Sequence, residues 1–183
     1  MNLKLRIGFC LYFAGLMKIS PQTIEALSKE AQKNQLENKK FFRVLANKEI
    51  SRLDKAFHTL HEQIFAETDC LECGNCCRTL GPRLTNADIR RMAQALRIRP
   101  SVLVDKYLLL DEDDDYVFRD MPCPFIDDEN YCSIYADRPR ACKEYPHTDR
   151  RRMRQMLDIT LKNIPVCPVV FEIVEELKGM EKI

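Results

Sequence analysis

Eight of the nine cysteines in this 183-residue chain fall between positions 70 and 167, and four of them crowd one octet, Cys70-Leu-Glu-Cys73-Gly-Asn-Cys76-Cys77. Thiolates at i, i+3 and i+6 on a loop can turn onto one soft cation, because two intervening residues let the backbone wrap the ion with its N–H groups facing the sulfurs. Gly74 frees that loop where it must turn most tightly. The other four, Cys123, Cys132, Cys142 and Cys167, are spread along the chain. A centre that they complete ties distant segments together, so the metal offsets part of the entropy of loop closure. All eight are candidate metal ligands.

Adjacent Cys76 and Cys77 should point apart if the chain there is extended, and so serve different centres or leave one thiol outside the first ring of ligands. Arg138 and Arg140 precede Cys142 and could neutralise clustered thiolates. His147 is the one histidine placed to act as a further ligand or proton donor. His58 and His61 lie one turn apart among polar residues and are expected on a solvated face.

The elements that must position these groups are mostly helical. Ile50, Leu53, Phe57, Leu60 and Ile64 repeat at helical spacing, and one or two amphipathic helices are expected from Pro21 to about Ala66. Ser20 before Pro21 is a helix start. Packing of the stripe onto the cysteine domain is expected in preference to a dimer seam, which would need more heptads. Thr85-Asn-Ala-Asp88 is a capping box opening a helix that ends near Arg99-Pro100, and Ser101 to Tyr107 forms a second. Leu108–Asp111 and Tyr116–Asp120 flank an acidic tip, Asp113 to Asp115, as a hairpin; the glycine and closing glutamate of a calcium loop are absent. Cys167-Pro168 opens a last helix with Val169, Val170, Ile173, Val174 and Leu177 inward and Glu172, Glu175 and Glu176 outward. The fold class expected is mostly α with a small β-hairpin, an irregular metal-stabilised cysteine domain joined to N-terminal amphipathic helices.

Three segments are expected: an N-terminal extension over 1–19, a helical region over 20–67 and a metal-binding domain over 68–178. Lys4, Arg6 and the apolar stretch to Met17 imitate the front of a signal peptide, but no small-x-small cleavage pattern follows and the stretch is shorter than the ~20 residues of a membrane span. Met17 is an alternative start. A cytoplasmic, reducing location is therefore expected, without a membrane span, and thiols rather than a disulfide framework. A net charge of +1 gives no general reason to bind nucleic acid, and the run Arg150-Arg-Arg152-Met-Arg154 lacks the interleaved aromatics of a stacking platform. No nucleic acid is expected as a partner. A protein partner recruited by the N-terminal helices is one function class; an enzyme or electron carrier is the other.

The octet, then Cys123-Pro-Phe125, Cys132-Ser-Ile-Tyr135, Arg138-Pro-Arg-Ala-Cys142, Tyr145-Pro146 and Cys167-Pro168, resembles in order the pattern of the YkgJ-like CxxCxxCC cysteine-cluster family, described as zinc- or iron-chelating domains. The resemblance covers roughly residues 70 to 175. It implies a metal centre held by the eight cysteines and, through the distantly similar flagellin lysine N-methylases, an iron–sulfur cluster with a redox or methyl-transfer role. Those methylases are much longer, so only the ligand role carries over. The CxxCxxC spacing favours a [4Fe–4S] cluster, whereas eight thiolates could also close two purely structural zinc sites. No catalytic residue is assigned.

Overall fold

The computed structural model describes residues 19–180 and is mostly helical, with one two-stranded antiparallel sheet among them. The expected signal-like extension and Cys10 lie outside that range, apart from Ile19. The described residues divide into two compact units, one made of 19–73 and 146–180 and the other of 74–145. Both boundaries fall inside the stretch 68–178. No described helix is long and apolar enough to cross a membrane.

The first unit contains α1 (Pro21–Lys33), α2 (Gln35–Leu45), α3 (Ile50–Phe65), α4 (Cys70–Cys73), a 3₁₀ turn (Met153–Met156), and two late helices. Helix α1 starts as its sequence requires: the Ser20 hydroxyl accepts the Thr23 N–H at 3.2 Å and Pro21 occupies the first turn. On α3, Leu53, Phe57 and Ile64 are buried, while Ile50 at the stripe's end stays 42% exposed. The stripe packs against the Cys167–Pro168 helix. Each large side chain sunk there contributes about 1.5–3 kcal/mol of apolar transfer energy.

That helix, Pro168–Gly179, is the centre of this unit, since α1, α3 and the helix Leu157–Asn163 all pack on it. Val169, Val170, Ile173, Val174 and Leu177 are buried as the spacing predicts. Glu172 is not outward: it is only 7% exposed, and its Oε2 finds no hydrogen-bond partner. Covering from several sides leaves the helix too narrow a solvent face for all three glutamates. Burial first, then the charges of Glu176 and Glu175, push its carboxyl up to about 8.

His58 and His61 also depart from expectation. His58 Nε2 lies 2.9 Å from the Arg150 carbonyl, and His61 Nδ1 lies 2.8 Å from the hydroxyl of the fully buried Thr148. Asp54 completes this clamp, its carboxylate accepting the Arg152 and Met153 N–H groups at 2.8 and 2.7 Å. The three side chains of α3 thus hold the arginine-rich segment through its backbone and Thr148, leaving the Arg151 and Arg152 side chains exposed.

The second unit runs α5 (Asn75–Thr79), α6 (Asn86–Ala95), α7 (Pro100–Tyr107), β1 (Leu108–Leu110), β2 (Tyr116–Phe118), a 3₁₀ turn (Tyr135–Asp137) and α8 (Arg140–Glu144). The Leu157–Asn163 and Pro168–Gly179 helices are then α9 and α10. The capping box at Thr85 and Asp88 is formed, and α6 stops at Ala95, four residues short of the expected end. Strands β1 and β2 pair Leu108 with Phe118 and Leu110 with Tyr116. The acidic residues form the tip, where Asp111 Oδ1 accepts the N–H groups of Asp113 and Asp115 at 3.0 Å. Ile89, Met92, Leu103, Leu108, Phe118 and Phe125 make the core, with Cys123 and Cys132 packed at its margin.

Candidate metal centre

The octet is not one loop. It is two short helical turns, α4 and α5, broken at Gly74, whose φ of 57° lies in the left-handed region. A Cβ at that position would run into the Asn130 side chain, so only glycine fits there as the chain is arranged. The Asn130 Oδ1 in turn accepts from Arg78 Nη2 at 2.8 Å and Nε at 3.2 Å, while Nη2 also reaches the Asp127 carbonyl. Arg78 and Asn130 therefore fasten the turn that precedes Cys132 to helix α5.

Because α5 is helical, Cys76 and Cys77 do not diverge as extended chain would require: their Sγ atoms are 3.9 Å apart. The hydrogen bond from Cys76, set against burial and aided by the charges of Arg78 and Arg138, lowers the Cys77 thiol to about 7. Cys77 and Cys123 are joined by backbone, the Cys123 N–H donating to the Cys77 carbonyl at 2.9 Å. An isolated antiparallel bridge between Ile126 and Cys132, across the polar turn 127–130, brings the chain back beside Cys123.

Cys142 sits on α8, whose first turn is fixed by a buried carboxylate. Asp88, 1% exposed, accepts from the Thr85 N–H (2.9 Å), the Thr85 hydroxyl (2.6 Å), Arg91 Nη2 (2.6 Å) and the Arg140 N–H (3.0 Å). Burial pushes this carboxyl up, but those hydrogen bonds together outweigh it and hold the group at about 2. Arg91 also donates to the Asp137 and Arg138 carbonyls, at 3.3 and 2.9 Å, so Asp88 and Arg91 set the path of the chain into α8.

These placements bring four thiols into one electrostatic neighbourhood. Burial, then the Cys77, Cys123 and Cys132 charges, push Cys142 up to about 12. Burial also raises Cys123 to about 11, with Cys77 and Cys132 adding to it and the Phe125 and Ile126 N–H groups opposing. Cys132 is raised by burial while the Ile134 N–H opposes. Arg138, stacked 3.7 Å from the Tyr135 ring centroid, favours the thiolates of Cys77, Cys132 and Cys142. Arg140 is engaged otherwise, with Glu144 at 2.7 Å.

Of the remaining four, Cys76 lies beside Cys77 and the helical unit carries the other three. Cys70 and Cys73 stand three apart on α4, and Cys167 is the N-cap of α10. Burial pushes Cys167 up to about 12, the Cys73 and Cys70 charges add to it, and the Val170 and Val169 N–H groups oppose from the start of the helix. His147, in the left-handed region at φ 67°, belongs to the same unit.

All eight described cysteines are thiols outside any disulfide. Among the described residues no group of three or more His, Cys, Asp or Glu side chains converges closely enough to hold an ion as it stands. The donor chemistry nevertheless fits a soft cation. Buried thiols that raise one another's pKa lose that repulsion when a divalent metal sits among them, and N–H groups aimed at sulfur stabilise the thiolate form.

Sequence reasoning identified the cysteines and missed their supports. Asp88 was visible only as a capping residue, and its bond to Arg140 spans 52 positions. Asn130 accepts from Arg78 across 52 positions, a pairing that no local pattern in the sequence marks.

Residues 69–167 match a family model named CxxCxxCC, described as a "Putative zinc- or iron-chelating domain". No curated protein and no solved structure matches the chain. The match takes in more than half of the 183 residues, including the octet from Cys70 to Cys77 and all four later cysteines, and the chain belongs to the CxxCxxCC family.

Proposed function

We propose that the chain chelates zinc or iron through Cys70, Cys73, Cys76, Cys77, Cys123, Cys132, Cys142 and Cys167, and that the bound metal fastens its loops. The observation that carries this reading is the gathering of Cys77, Cys123, Cys132 and Cys142 from three separate segments of one unit. Cys77, Cys123, Cys132 and Cys142 would hold the ion in this unit, and the Phe125, Ile126 and Ile134 N–H groups would favour the thiolate forms of Cys123 and Cys132. Bound there, the metal supplies cross-links that a small irregular core needs.

An iron–sulfur cluster is the finer reading, supported by the CxxCxxC spacing and by N–H groups directed at sulfur. Its redox or methyl-transfer use rests on resemblance to the lysine methylases. The zinc reading, a binding module recruiting a partner, finds only Leu36, Val44 and Ile50 as large exposed apolar residues on the described α1, α2 and α3. Anaerobic purification with metal and sulfide analysis and a visible spectrum tests the choice. Brown protein with stoichiometric iron and sulfide supports the cluster, colourless zinc protein removes it, and metal-free protein that takes up neither ion refutes chelation.

A further inference from the structure

We propose that the helical unit docks on an anionic lipid surface through a basic face made by α2, the turn that follows it and the arginine segment 150–154, with Leu36 and Val44 entering the headgroup layer. The inference is independent of the chelation reading and uses none of its cysteines.

Two distant stretches of the chain supply the charge. Residues 39–55 hold six Lys or Arg against Glu49 and Asp54, and residues 150–154 hold four Arg and no acid. The fold fastens the two stretches together and occupies both acids. Asp54 accepts the Arg152 and Met153 N–H groups, and Glu49 Oε2 lies 3.3 Å from Arg52 Nε. Arg154 Nη2 donates to the Lys48 carbonyl, which sets the arginine segment against the turn between α2 and α3. Because that segment is gripped by its backbone, the Arg151 and Arg152 side chains stay exposed. On α2, Asn38, Phe42 and Leu45 are buried, so the helical period puts Leu36, Lys40, Arg43 and Val44 on the opposite face. Leu36 is 74% exposed and Val44 54%. Glu37, the acid beside them, is drawn to Lys178 at 3.4 Å.

Charge complementarity calls for a polyanion, and the side chains interleaved with the cations select a lipid surface over nucleic acid. The aromatic residues of the two stretches, Phe41 and Phe42, are turned to the core and cannot stack a base. Large exposed aliphatic groups among cations have no use on a phosphate backbone. At a bilayer they enter the acyl boundary while Lys and Arg reach the phosphates with their charged ends. Each contribution is small, so docking needs the charges and the aliphatic groups together.

The test sediments the full chain with vesicles of phosphatidylcholine alone and of phosphatidylcholine mixed with phosphatidylserine, at low salt and at about 0.5 M salt. The wild type should bind only the mixed vesicles and should be released by salt. Lys40→Gln/Arg43→Gln and Arg151→Gln/Arg152→Gln should each weaken binding, by about fivefold for every charge removed. Leu36→Ser/Val44→Ser should weaken it too while leaving the salt dependence in place. The proposal is overturned if the wild type binds neither vesicle or both equally. It is also overturned if any of the three double variants binds as the wild type does, or if duplex DNA at the same salt binds more tightly than the mixed vesicles, which assigns the face to nucleic acid. All six side chains are exposed, and unchanged far-UV dichroism shows that a variant is folded. Should a variant fail to fold, the wild-type comparison of the two vesicles and DNA decides.

Discussion

Replacing Asp88 by Ala should destabilise the 74–145 unit more than any other single polar substitution in it. The carboxylate accepts four hydrogen bonds at 2.6–3.0 Å while 1% exposed. Loss of the capping interaction costs about 1 kcal/mol. Loss of the charged bond from Arg91 costs about 1.5–3 kcal/mol, and the lower end applies because the Arg91 side chain is 32% exposed. The orphaned Arg140 N–H adds about 1 kcal/mol. The sum, about 3–4 kcal/mol, is a large part of the 5–15 kcal/mol typical of a domain. Urea unfolding followed by far-UV dichroism measures it, and Asp88→Asn, which keeps an acceptor oxygen, should lose about half as much. The pH dependence has a definite sign. A carboxyl lowered from 3.8 to about 2 in the folded chain stabilises fully above pH 3.8 and loses that contribution as pH falls through 2. In metal-free protein, the gap between wild type and Asp88→Asn should therefore be flat at higher pH and narrow below 3.8. An Asp88→Ala protein with the wild-type urea midpoint would refute the reasoning.

Gly74→Ala should cost about 2–3 kcal/mol, since alanine pays about 1–2 kcal/mol in the left-handed region and Asn130 can yield only by giving up Arg78. Its melting temperature and metal content should fall together, and an unchanged pair of values contradicts the role given to that turn. Glu172→Gln should flatten the alkaline side of the stability profile. A carboxyl raised from 4.5 to about 8 favours folding fully below pH 4.5, and the benefit is lost as pH rises through 8. The full shift corresponds to several kcal/mol and solvent screening reduces it to about 2 kcal/mol; parallel melting curves against pH for both proteins would count against it. Asp54→Ala frees the Arg152 and Met153 N–H groups, so amide exchange there should rise at least tenfold and trypsin should cut the 150–154 segment first.

What the sequence disclosed was local. The capping box at Thr85 and Asp88, the Ser20-Pro21 start, the hairpin around the acidic tip and the apolar face of α10 are all written within a few residues of where they act. The octet was misjudged as a loop because turns of four and five residues are too short to show a period. Glu172 was misplaced because a helical period assumes one buried face, whereas three helices pack around α10. His58 and His61 looked solvated because their partners, Arg150 and Thr148, are about ninety positions away. The cysteines themselves were legible by type and spacing. Their division between units depends on Gly74 and on contacts such as Asp88 to Arg140, which no pattern of neighbours displays.

The helical unit is discontinuous in the chain, with residues 74–145 inserted between its halves. During synthesis its first three helices leave the ribosome more than a hundred residues before α10, the element that they bury. The inserted segment emerges whole in the interval, with all its own thiols, and is the first part of the nascent polypeptide able to finish folding. Folding of the insert can thus precede closure of the helices, and a ribosome stalled before Pro168 would release a product with a finished insert and an unsealed bundle.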